Sequence, residues 1–323
     1  MVASNQKRDA VDITIVETSP RDGLSYIGGI STEQKINYIN MLAETGIRRI
    51  DAVSFTHPAL YPKYADAEDV IKGVHTKPGI TYSGMVPNEM GCRRAVNTKI
   101  QEISFLISVS DEFNKKNSLK SLRETLNKIP TIFEMAFNSG KTVRAFLLAA
   151  FGCPFAGKIP ADDVVQLVIR LSHLGASEIS LLDSTGLANP KQVKSLIKSI
   201  LSLKLPSRLA VHFHNTRNTG MVNCVAAYEA GARIFDTSIS GVSLPLYGPI
   251  ESDFGYWNVP TEDLVSLFEE MGIPTGIDLD RLLKCVEYVE KLANRPLHGH
   301  LKYAISYTKY PGLYSDHENY LDL

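Results

Sequence analysis

The chain has 323 residues, of which 44% are hydrophobic and 21% charged, the composition of an ordinary globular protein. Its net charge of −1 argues against a strong global attraction to nucleic acid or to an anionic membrane. No signal-peptide pattern is present, and no apolar run approaches the roughly 18 residues of a membrane span, so we expect a soluble cytoplasmic protein. The four cysteines lie far apart without a CxxC pair, which indicates reduced thiols.

Short apolar runs typical of strands alternate along the chain with longer segments of helical periodicity. Eight strands are predicted, at residues 12–17, 49–54, 81–86, 102–108, 143–149, 178–182, 209–214 and 233–238. Helices are predicted at residues 32–45, 66–73, 87–97, 119–139, 161–174, 190–203, 219–230, 261–271 and 278–293. This alternation is the pattern of a parallel sheet with crossover helices.

Eight strand–helix units in roughly 250 residues match the size of one (β/α)8, or TIM, barrel. A doubly wound open sheet is the alternative, but the glycine-rich phosphate turn usual after an early strand is missing from the sequence. We therefore predict an α/β fold in one domain. The barrel spans residues 11–275, and a C-terminal helical extension with an irregular, tyrosine-rich tail spans residues 276–323.

Active sites of such barrels form at the C-terminal ends of the strands, so polar residues there are functional candidates. The candidates are Arg21 and Asp22 after the first strand, Asp51 and His57 in and after the second, Asp183 at the end of the sixth, His212 and His214 in the seventh, and Asp236 in the eighth. Ionisable residues are thus concentrated at the end of the barrel where chemistry is expected.

The pair His212-x-His214 is the most informative local motif, because residues two apart on a strand point to the same face. Two imidazoles in the lumen, with oxygen atoms from Asp22 and Asn258, would suit Mg²⁺ or Mn²⁺ better than thiolate-rich zinc chemistry. The alternative is a half-buried strand with two hydrogen-bonded histidines. Arg21-Asp22 alone is also typical of a surface turn, but its position after the first strand favours a site.

The segment 15–24, IVETSPRDGL, resembles the opening signature of the 3-hydroxy-3-methylglutaryl-CoA (HMG-CoA) lyase family. The likeness covers about residues 11–292 and continues through ordered motifs. These are Ser54-Phe55 with Pro58, Pro87-Asn88 with Gly91, the FNKKN stretch at 113–117, the GCPFAGKI stretch at 152–159, His212-x-His214, and Asn258 ahead of the TEDL stretch at 261–264. Membership of this family implies a metal-dependent lyase or condensing enzyme on a TIM barrel.

The resemblance implies a role for each matching residue. Asp22, His212, His214 and Asn258 would hold Mg²⁺ or Mn²⁺, and Arg21 would polarise the substrate carbonyl and stabilise the enolate. His212 is the first choice and Asp51 the second choice for the base. Asp51 stands where the family usually has the longer glutamate, and Asp183 matches a polar position of the family. Lys115, Lys116 and Asn117 match a stretch near the CoA-binding loop; the alternative for them is a solvated helix start.

The sequence departs from the family at the mouth of the barrel. The lyases have a loop after strand eight that reads roughly G-L-G-G-C-P-Y, with a catalytic cysteine; here it reads GVSLPLYG, and Pro245 stands at the thiol position. The stretch from there to Asn258 is also longer, with Tyr256-Trp257 just before Asn258. After Leu24, Ser-Tyr-Ile replaces the family's Gln-Asn-Glu. Another acid must replace the thiol, with bound water, His57 or Tyr247 as candidates.

Three functions remain open at this point. The first is cleavage of a 3-hydroxyacyl-CoA other than HMG-CoA to a ketone or keto acid and a shorter acyl-CoA. The second is an aldolase or Claisen-type condensation of a 2-oxo acid, and the third is a catalytically silent barrel that acts as a binding partner. The complete set of candidate ligands disfavours the third. We expect a homodimer with a small-molecule partner, a CoA thioester, and neither nucleic acid nor membrane.

Overall fold

A computed structural model describes residues 12–243 and 257–304 of the chain. Eight parallel strands close into a barrel in sequence order, and β1 pairs with both β2 and β8. The strands are β1 (Thr14–Glu17), β2 (Arg49–Ser54), β3 (Thr81–Val86), β4 (Glu102–Ser108), β5 (Thr142–Leu148), β6 (Glu178–Asp183), β7 (Arg208–Phe213) and β8 (Ile234–Thr237). The predicted (β/α)8 barrel is confirmed, and every predicted strand is present within two residues of its expected bounds.

The described helices are α1 (Gly23–Ile27), α2 (Thr32–Leu42), α3 (Ala67–Gly73), α4 (Glu89–Val96), α5 (Asp111–Ser118), α6 (Leu122–Asn138), α7 (Ala161–His173), α8 (Pro190–Ser202), α9 (Gly220–Glu229), α10 (Thr261–Glu270) and α11 (Leu279–Ala293). Helix α11 belongs to the expected C-terminal extension and packs against α2 and α10. All four cysteines are buried and unpaired, as their spacing indicated.

Two short helices, α1 and α5, were not predicted from the sequence, and α6 begins later than expected. A helix was expected from residue 119, but Leu119 has a positive φ of 57° and ends α5. Ser121 then caps α6, since its side chain accepts the backbone N–H of Glu124 while Glu124 accepts the N–H of Ser121. This reciprocal capping box satisfies two backbone donors and fixes the helix start.

The lower half of the barrel lumen holds a network of buried ion pairs. Arg49, Glu102 and Glu178 begin β2, β4 and β6, and Arg49 lies 2.8 Å from Glu102 and 2.6 Å from Glu178. Arg144 of β5 is fully buried and pairs with Glu178 at 2.5 Å and with Asp236 of β8 at 2.6 Å. Charges are tolerated in such a place because each is paired. The network connects the base of the barrel to the strands that carry the polar residues of the mouth.

Within residues 12–243 and 257–304, no helix is both long enough and apolar enough to cross a membrane.

Candidate active site

Arg21 and Asp22 lie in a tight turn that follows β1. The N–H of Asp22 donates to the carbonyl of Thr18 at 2.9 Å, and the N–H of Arg21 donates to the carbonyl of Asp51 at 3.2 Å. Gly23 comes next because the loop after β8 packs directly on it: a Cβ at this position would lie 2.2 Å from Cγ2 of Val242. The Arg-Asp-Gly motif thus places two charged side chains over the lumen and brings the loops after β1 and β8 together.

Three of the four candidate metal ligands are linked by hydrogen bonds. Nδ2 of Asn258 donates to Oδ2 of Asp22 at 3.1 Å, and Oδ1 of Asn258 lies 2.9 Å from Nε2 of His212. The hydroxyl of Ser243 donates to the same Oδ2 of Asp22 at 3.0 Å. All four of these residues are buried. The structure therefore brings Asp22 together with Asn258 and Ser243, which lie 236 and 221 residues further along the chain.

The fourth candidate ligand, His214, lies beside this group. Its ring centroid is 5.3 Å from that of His212, and its backbone forms an isolated β-bridge with Asn258. Burial, with a further contribution from the neighbouring His212, lowers the pKa of His214 to about 3. His214 is therefore a neutral imidazole at physiological pH, which is the form that binds metal ions.

The donor set fits a divalent cation by its chemistry. It comprises one carboxylate, two imidazoles and one amide, a mixed N/O set suited to Mg²⁺ or Mn²⁺. Nδ1 of His214 is buried without a hydrogen-bond partner among the described residues. Across that same part of the chain, no three His, Cys, Asp or Glu side chains are arranged so that they could hold an ion. The amide of Asn258 bridges Asp22 and His212. Metal binding would replace these hydrogen bonds with metal–ligand bonds.

Asp236 was one of the polar candidates at the strand ends, but no role in the site was predicted for it. It lies opposite His212 in the β7–β8 register, and its Oδ2 is 3.4 Å from Nδ1 of His212. Burial alone would raise the pKa of Asp236, but Arg144 and His212 together hold it below its usual range. The ionised carboxylate therefore faces one nitrogen of His212 while Asn258 faces the other. A carboxylate beside a ligating histidine fixes its tautomer and ring orientation.

The two roles predicted for His212, metal ligand and base, compete for the same ring nitrogens. Nδ1 faces Asp236 and Nε2 faces Asn258, so an imidazole that held a cation through Nε2 would have no free lone pair with which to accept a proton. A ligand role for His212 would therefore leave the second choice, Asp51, as the base, and both assignments stay predictions.

Arg21 and Asp51 form a buried ion pair at the β1–β2 side of the mouth. Nε of Arg21 donates to Oδ2 of Asp51 at 2.9 Å, and the hydroxyl of Ser83 donates to Oδ1 at 3.2 Å. Burial raises the pKa of Asp51, although Arg21 opposes this shift. The Phe146 ring lies below, with its centroid 5.9 Å from Cζ of Arg21 and 4.6 Å from Cζ of Arg144. The ring separates Arg21 from the ion pairs of the lower lumen.

Asp183 has a different environment. Its two carboxylate oxygens accept the backbone N–H groups of Leu187 at 2.7 Å and Ala188 at 3.0 Å, which closes the turn after β6. Burial raises the pKa of Asp183 to about 6. Its hydrogen bonds in the described structure go to the main chain of its own loop, so a catalytic role for this residue stays a prediction.

Four of the predicted substrate-binding residues, Lys115, Lys116, Asn117 and His57, have no hydrogen bond to the candidate metal ligands in the described structure. Lys115, Lys116 and Asn117 are on α5, after β4 on the opposite side of the barrel; Lys115 is exposed and ion-paired with Asp111 at 2.6 Å. Lys115, Lys116 and Asn117 lie within α5 rather than at its start. His57 is exposed after β2, and its Nδ1 accepts the N–H of Ala59 at 3.2 Å. Tyr247 and Pro245 lie outside the described residues.

The fold and the polar group at the strand ends define a TIM-barrel protein with an enzyme-like mouth. The family model described as HMGL-like matches residues 12–289, so the chain belongs to this family. The hydroxymethylglutaryl-CoA lyase YngG of Bacillus subtilis is 38% identical, over 88% of this chain and 94% of that protein. The mitochondrial hydroxymethylglutaryl-CoA lyase of Macaca fascicularis is 35% identical, over 88% of this chain and 86% of that protein.

Solved structures of HMG-CoA lyases are also similar to this chain. The HMG-CoA lyase of Bacillus subtilis has a TM-score of 0.86 and 36% identity, covering 91% of this chain and 98% of that one. An HMG-CoA lyase of Acinetobacter baumannii, solved in complex with coenzyme A and 3-methylmalate, has a TM-score of 0.85 and 37% identity, covering 92% of this chain and 96% of that one.

Proposed function

We propose that this protein is a divalent-metal-dependent carbon–carbon lyase. Its substrate would be a 3-hydroxyacyl-CoA other than HMG-CoA, cleaved to a ketone or keto acid and a shorter acyl-CoA. The observation that carries the proposal is the hydrogen-bonded group of Asp22, Asn258 and His212 beside the Arg21–Asp51 ion pair. Its relatives, which are named hydroxymethylglutaryl-CoA lyases, support the reaction class. The changed mouth supports a different acyl group.

The proposal gives each of these residues a chemical role. A cation held by Asp22, His212, His214 and Asn258 would act as a Lewis acid and lower the pKa of the substrate hydroxyl. Asp51 accepts the hydroxyl proton, and burial makes it a stronger base than an exposed carboxylate. The bond between the α-carbon and the hydroxyl-bearing carbon then breaks, and its electrons form the enolate. Arg21, oriented by Asp51, stabilises the enolate oxygen.

The enolate must finally take up a proton at carbon. In the family a loop cysteine belongs to this part of the cycle, and Pro245 stands in its place here. Bound water, His57 or Tyr247 would supply the proton instead. If protonation is slow, the reverse reaction gains importance, and this favours the second candidate function, Claisen-type condensation with a 2-oxo acid.

The test is an assay of the purified protein with Mg²⁺ or Mn²⁺ and a panel of 3-hydroxyacyl-CoA thioesters, with the ketone and acyl-CoA products followed by mass spectrometry. We expect cleavage that a chelator abolishes and that Asp22→Ala and His212→Ala both eliminate. The control Asp163→Ala, at an exposed position on α7, should keep wild-type rates. Near wild-type rates in both site variants would refute the site, and consumption of a 2-oxo acid without cleavage of any thioester would select the condensing function.

A further inference from the structure

Three aromatic rings from distant parts of the chain meet at the rim of the barrel between β1 and β8. Tyr26 of α1 lies edge-on to Trp257, with ring centroids 5.8 Å apart and an interplanar angle of 83°. Trp257 in turn packs on His298, with centroids 3.6 Å apart. We call Tyr26, Trp257 and His298 the rim cluster. Arg295 donates from Nη2 to the hydroxyl of Tyr26 at 3.1 Å, so the polar end of that ring has a partner.

The rim cluster adjoins the candidate metal ligands. Trp257 immediately precedes Asn258, and Tyr26 lies one helical turn after Asp22. Neighbouring Cα atoms are about 3.8 Å apart and one helical turn rises about 5.4 Å, so both rings are attached within a few ångströms of ligand backbone. The carbonyl of Trp257 also accepts the N–H of Asn215 at 2.5 Å, which ties this segment to the end of β7.

Both aromatic residues belong to stretches in which this chain departs from the family pattern. By the resemblance described under the sequence analysis, Ser25-Tyr26-Ile27 stands where the family has the polar run Gln-Asn-Glu, and Trp257 lies in the stretch before Asn258 that is longer here. The two departures are 231 positions apart in the sequence, yet their side chains are in contact. Both changes place aromatic surface at the same point of the rim. Two stretches that differ from the family pattern thus meet in space.

We propose that the rim cluster is a specificity wall for the acyl group of the substrate. On the proposed function, it takes a 3-hydroxyacyl thioester whose hydroxyl-bearing carbon carries an apolar substituent, an alkyl chain or a ring. Both rings are attached close to the candidate metal ligands, and this supports the acyl group as the part of the substrate that they contact. Only substrate groups a few bonds from the reacting carbon would come within reach of the rings. The nucleotide of CoA is separated from that carbon by the whole pantetheine arm. Apolar and aromatic surfaces favour apolar partners through burial and ring packing.

The experiment compares two CoA thioesters that differ only in the substituent on the hydroxyl-bearing carbon, methyl in one and butyl in the other. The quantity measured is the butyl-to-methyl ratio of kcat/KM, which is unaffected by a uniform loss of activity. We expect the wild type to prefer butyl. Trp257→Ala and Tyr26→Asn should each lower the ratio about tenfold, the scale of one or two methylene contacts. Phe137→Ala, an exposed aromatic at the C-terminal end of α6, should leave it unchanged.

A second measurement separates the acyl group from the CoA arm. The same two acyl groups are supplied as N-acetylcysteamine thioesters, which lack most of that arm. We expect Trp257→Ala to lower the ratio as strongly as it does with CoA thioesters. An effect seen only with CoA thioesters would overturn the proposal, because the wall would then contact the arm. Tyr26→Asn decides the outcome if Trp257→Ala does not fold.

The outcomes for the wall and for the proposed function are distinct. A wild-type protein that cleaves no thioester refutes the proposed function and the wall with it. A wild type that cleaves both thioesters, with an unchanged ratio in folded Trp257→Ala and Tyr26→Asn, refutes the wall alone. Melting temperatures and Mn²⁺ affinities of the variants establish that they are folded and retain the ligand group.

Discussion

His212 occupies the position on which the candidate site depends, between a carboxylate and an amide. Oδ2 of Asp236 lies 3.4 Å from Nδ1, and Oδ1 of Asn258 lies 2.9 Å from Nε2. Asp236 is itself fixed by Arg144 at 2.6 Å and by the hydroxyl of Ser180 at 2.7 Å. The ring orientation of His212, a candidate metal ligand, is thus set by a chain of contacts that begins deep in the barrel. Such partners are part of a metal site even though they do not touch the ion.

We predict that Asp236→Asn lowers the affinity for Mn²⁺ about 10- to 100-fold, because Nδ1 of His212 loses its ionised partner. Arg144 keeps Glu178 as a partner, so the variant should fold. The measurement is a calorimetric Mn²⁺ titration beside a thermal melt. Asp12→Asn, at an exposed residue, is the control and should titrate like the wild type. An Asp236→Asn affinity within twofold of the wild type would contradict this role.

Sequence patterns predicted that Asp22, His212 and Asn258 would lie together, but not the environment of these residues. The spacing of His212 and His214 and the position of Arg21-Asp22 indicated a shared site, and the structure places Asp22, His212 and Asn258 in one hydrogen-bonded group. Asp236 was visible as a carboxylate on the strand after the histidine pair. Its pairing with His212 depends on strand register, and the hydrogen bond from Ser243 depends on the loop path; a single sequence specifies neither.

At the scale of elements, the contact between α1 and the loop after β8 positions Asp22. The two segments approach so closely that only glycine fits at position 23, against the side chain of Val242. Ser243 and Asn258, at the two ends of the undescribed stretch 244–256, both hydrogen-bond to Asp22. A small change at this contact should therefore shift the positions of the candidate ligands.

We predict that Gly23→Ala weakens Mn²⁺ binding and lowers stability by about 1–3 kcal/mol, the usual cost of overpacking. Its methyl group would collide with Cγ2 of Val242. The double variant Gly23→Ala/Val242→Ala removes that atom and should recover part of both losses. Chemical denaturation and Mn²⁺ titration measure the two effects. If the double variant is worse than additive, the contact is not the cause.

Helix α10 also stabilises the loop after β8, through a titratable group. Both carboxylate oxygens of Glu262 accept the N–H of Ser240, at 3.1 and 3.0 Å, where Ser240 has a positive φ of 51°. Burial raises the pKa of Glu262 from 4.5 to about 7. The folded state therefore holds a proton between these values that the unfolded state has lost, and stability falls as the pH rises through this window.

Glu262→Gln should remove this titration. Compared with the variant, the wild type should lose about 3 kcal/mol of unfolding free energy between pH 4.5 and 7, the value of a shift of this size. Denaturant unfolding at several pH values measures the difference. Parallel pH profiles for the two proteins would show that Glu262 does not titrate in this window.

The elements themselves were largely predictable, and the exceptions have local causes. Strand positions followed from short apolar runs, because the buried strands of a parallel barrel are apolar along most of their length. Helix α5 was not predicted because its sequence DEFNKKNS is mostly polar. It depends on a cap by Ser110, whose hydroxyl accepts the N–H of Phe113 at 3.1 Å. Helix α1 is five residues long, too short to show a helical period.

Over the whole barrel, the lower half of the lumen holds paired charges beside a small apolar group of Val16, Ala210 and Ile234. Glu178 is the central member, fully buried between Arg49 at 2.6 Å and Arg144 at 2.5 Å. These contacts join β2, β5 and β6 across the lumen. Because the network ends at Asp236 and His212, the same ion pairs that stabilise the fold also support the site.

We predict that Glu178→Gln destabilises the protein by about 3–5 kcal/mol, because it leaves two buried arginines undercompensated. Denaturant unfolding measures the loss. The control is Glu229→Gln in the exposed pair with Lys194, which should cost less than about 1 kcal/mol. Equal losses in the two variants would show that the lumen network contributes no more than a surface ion pair.

The proposed function requires Asp22, His212, His214 and Asn258 to hold one divalent cation in the mouth of the barrel. A crystal structure of the protein with Mn²⁺, located by its anomalous scattering, tests this requirement. We expect one Mn²⁺ bound by these four side chains, with the amide oxygen of Asn258 turned onto the ion. A Mn²⁺ ion bound elsewhere, or a mouth in which Asn258 still bridges Asp22 and His212 at saturating Mn²⁺, would contradict it.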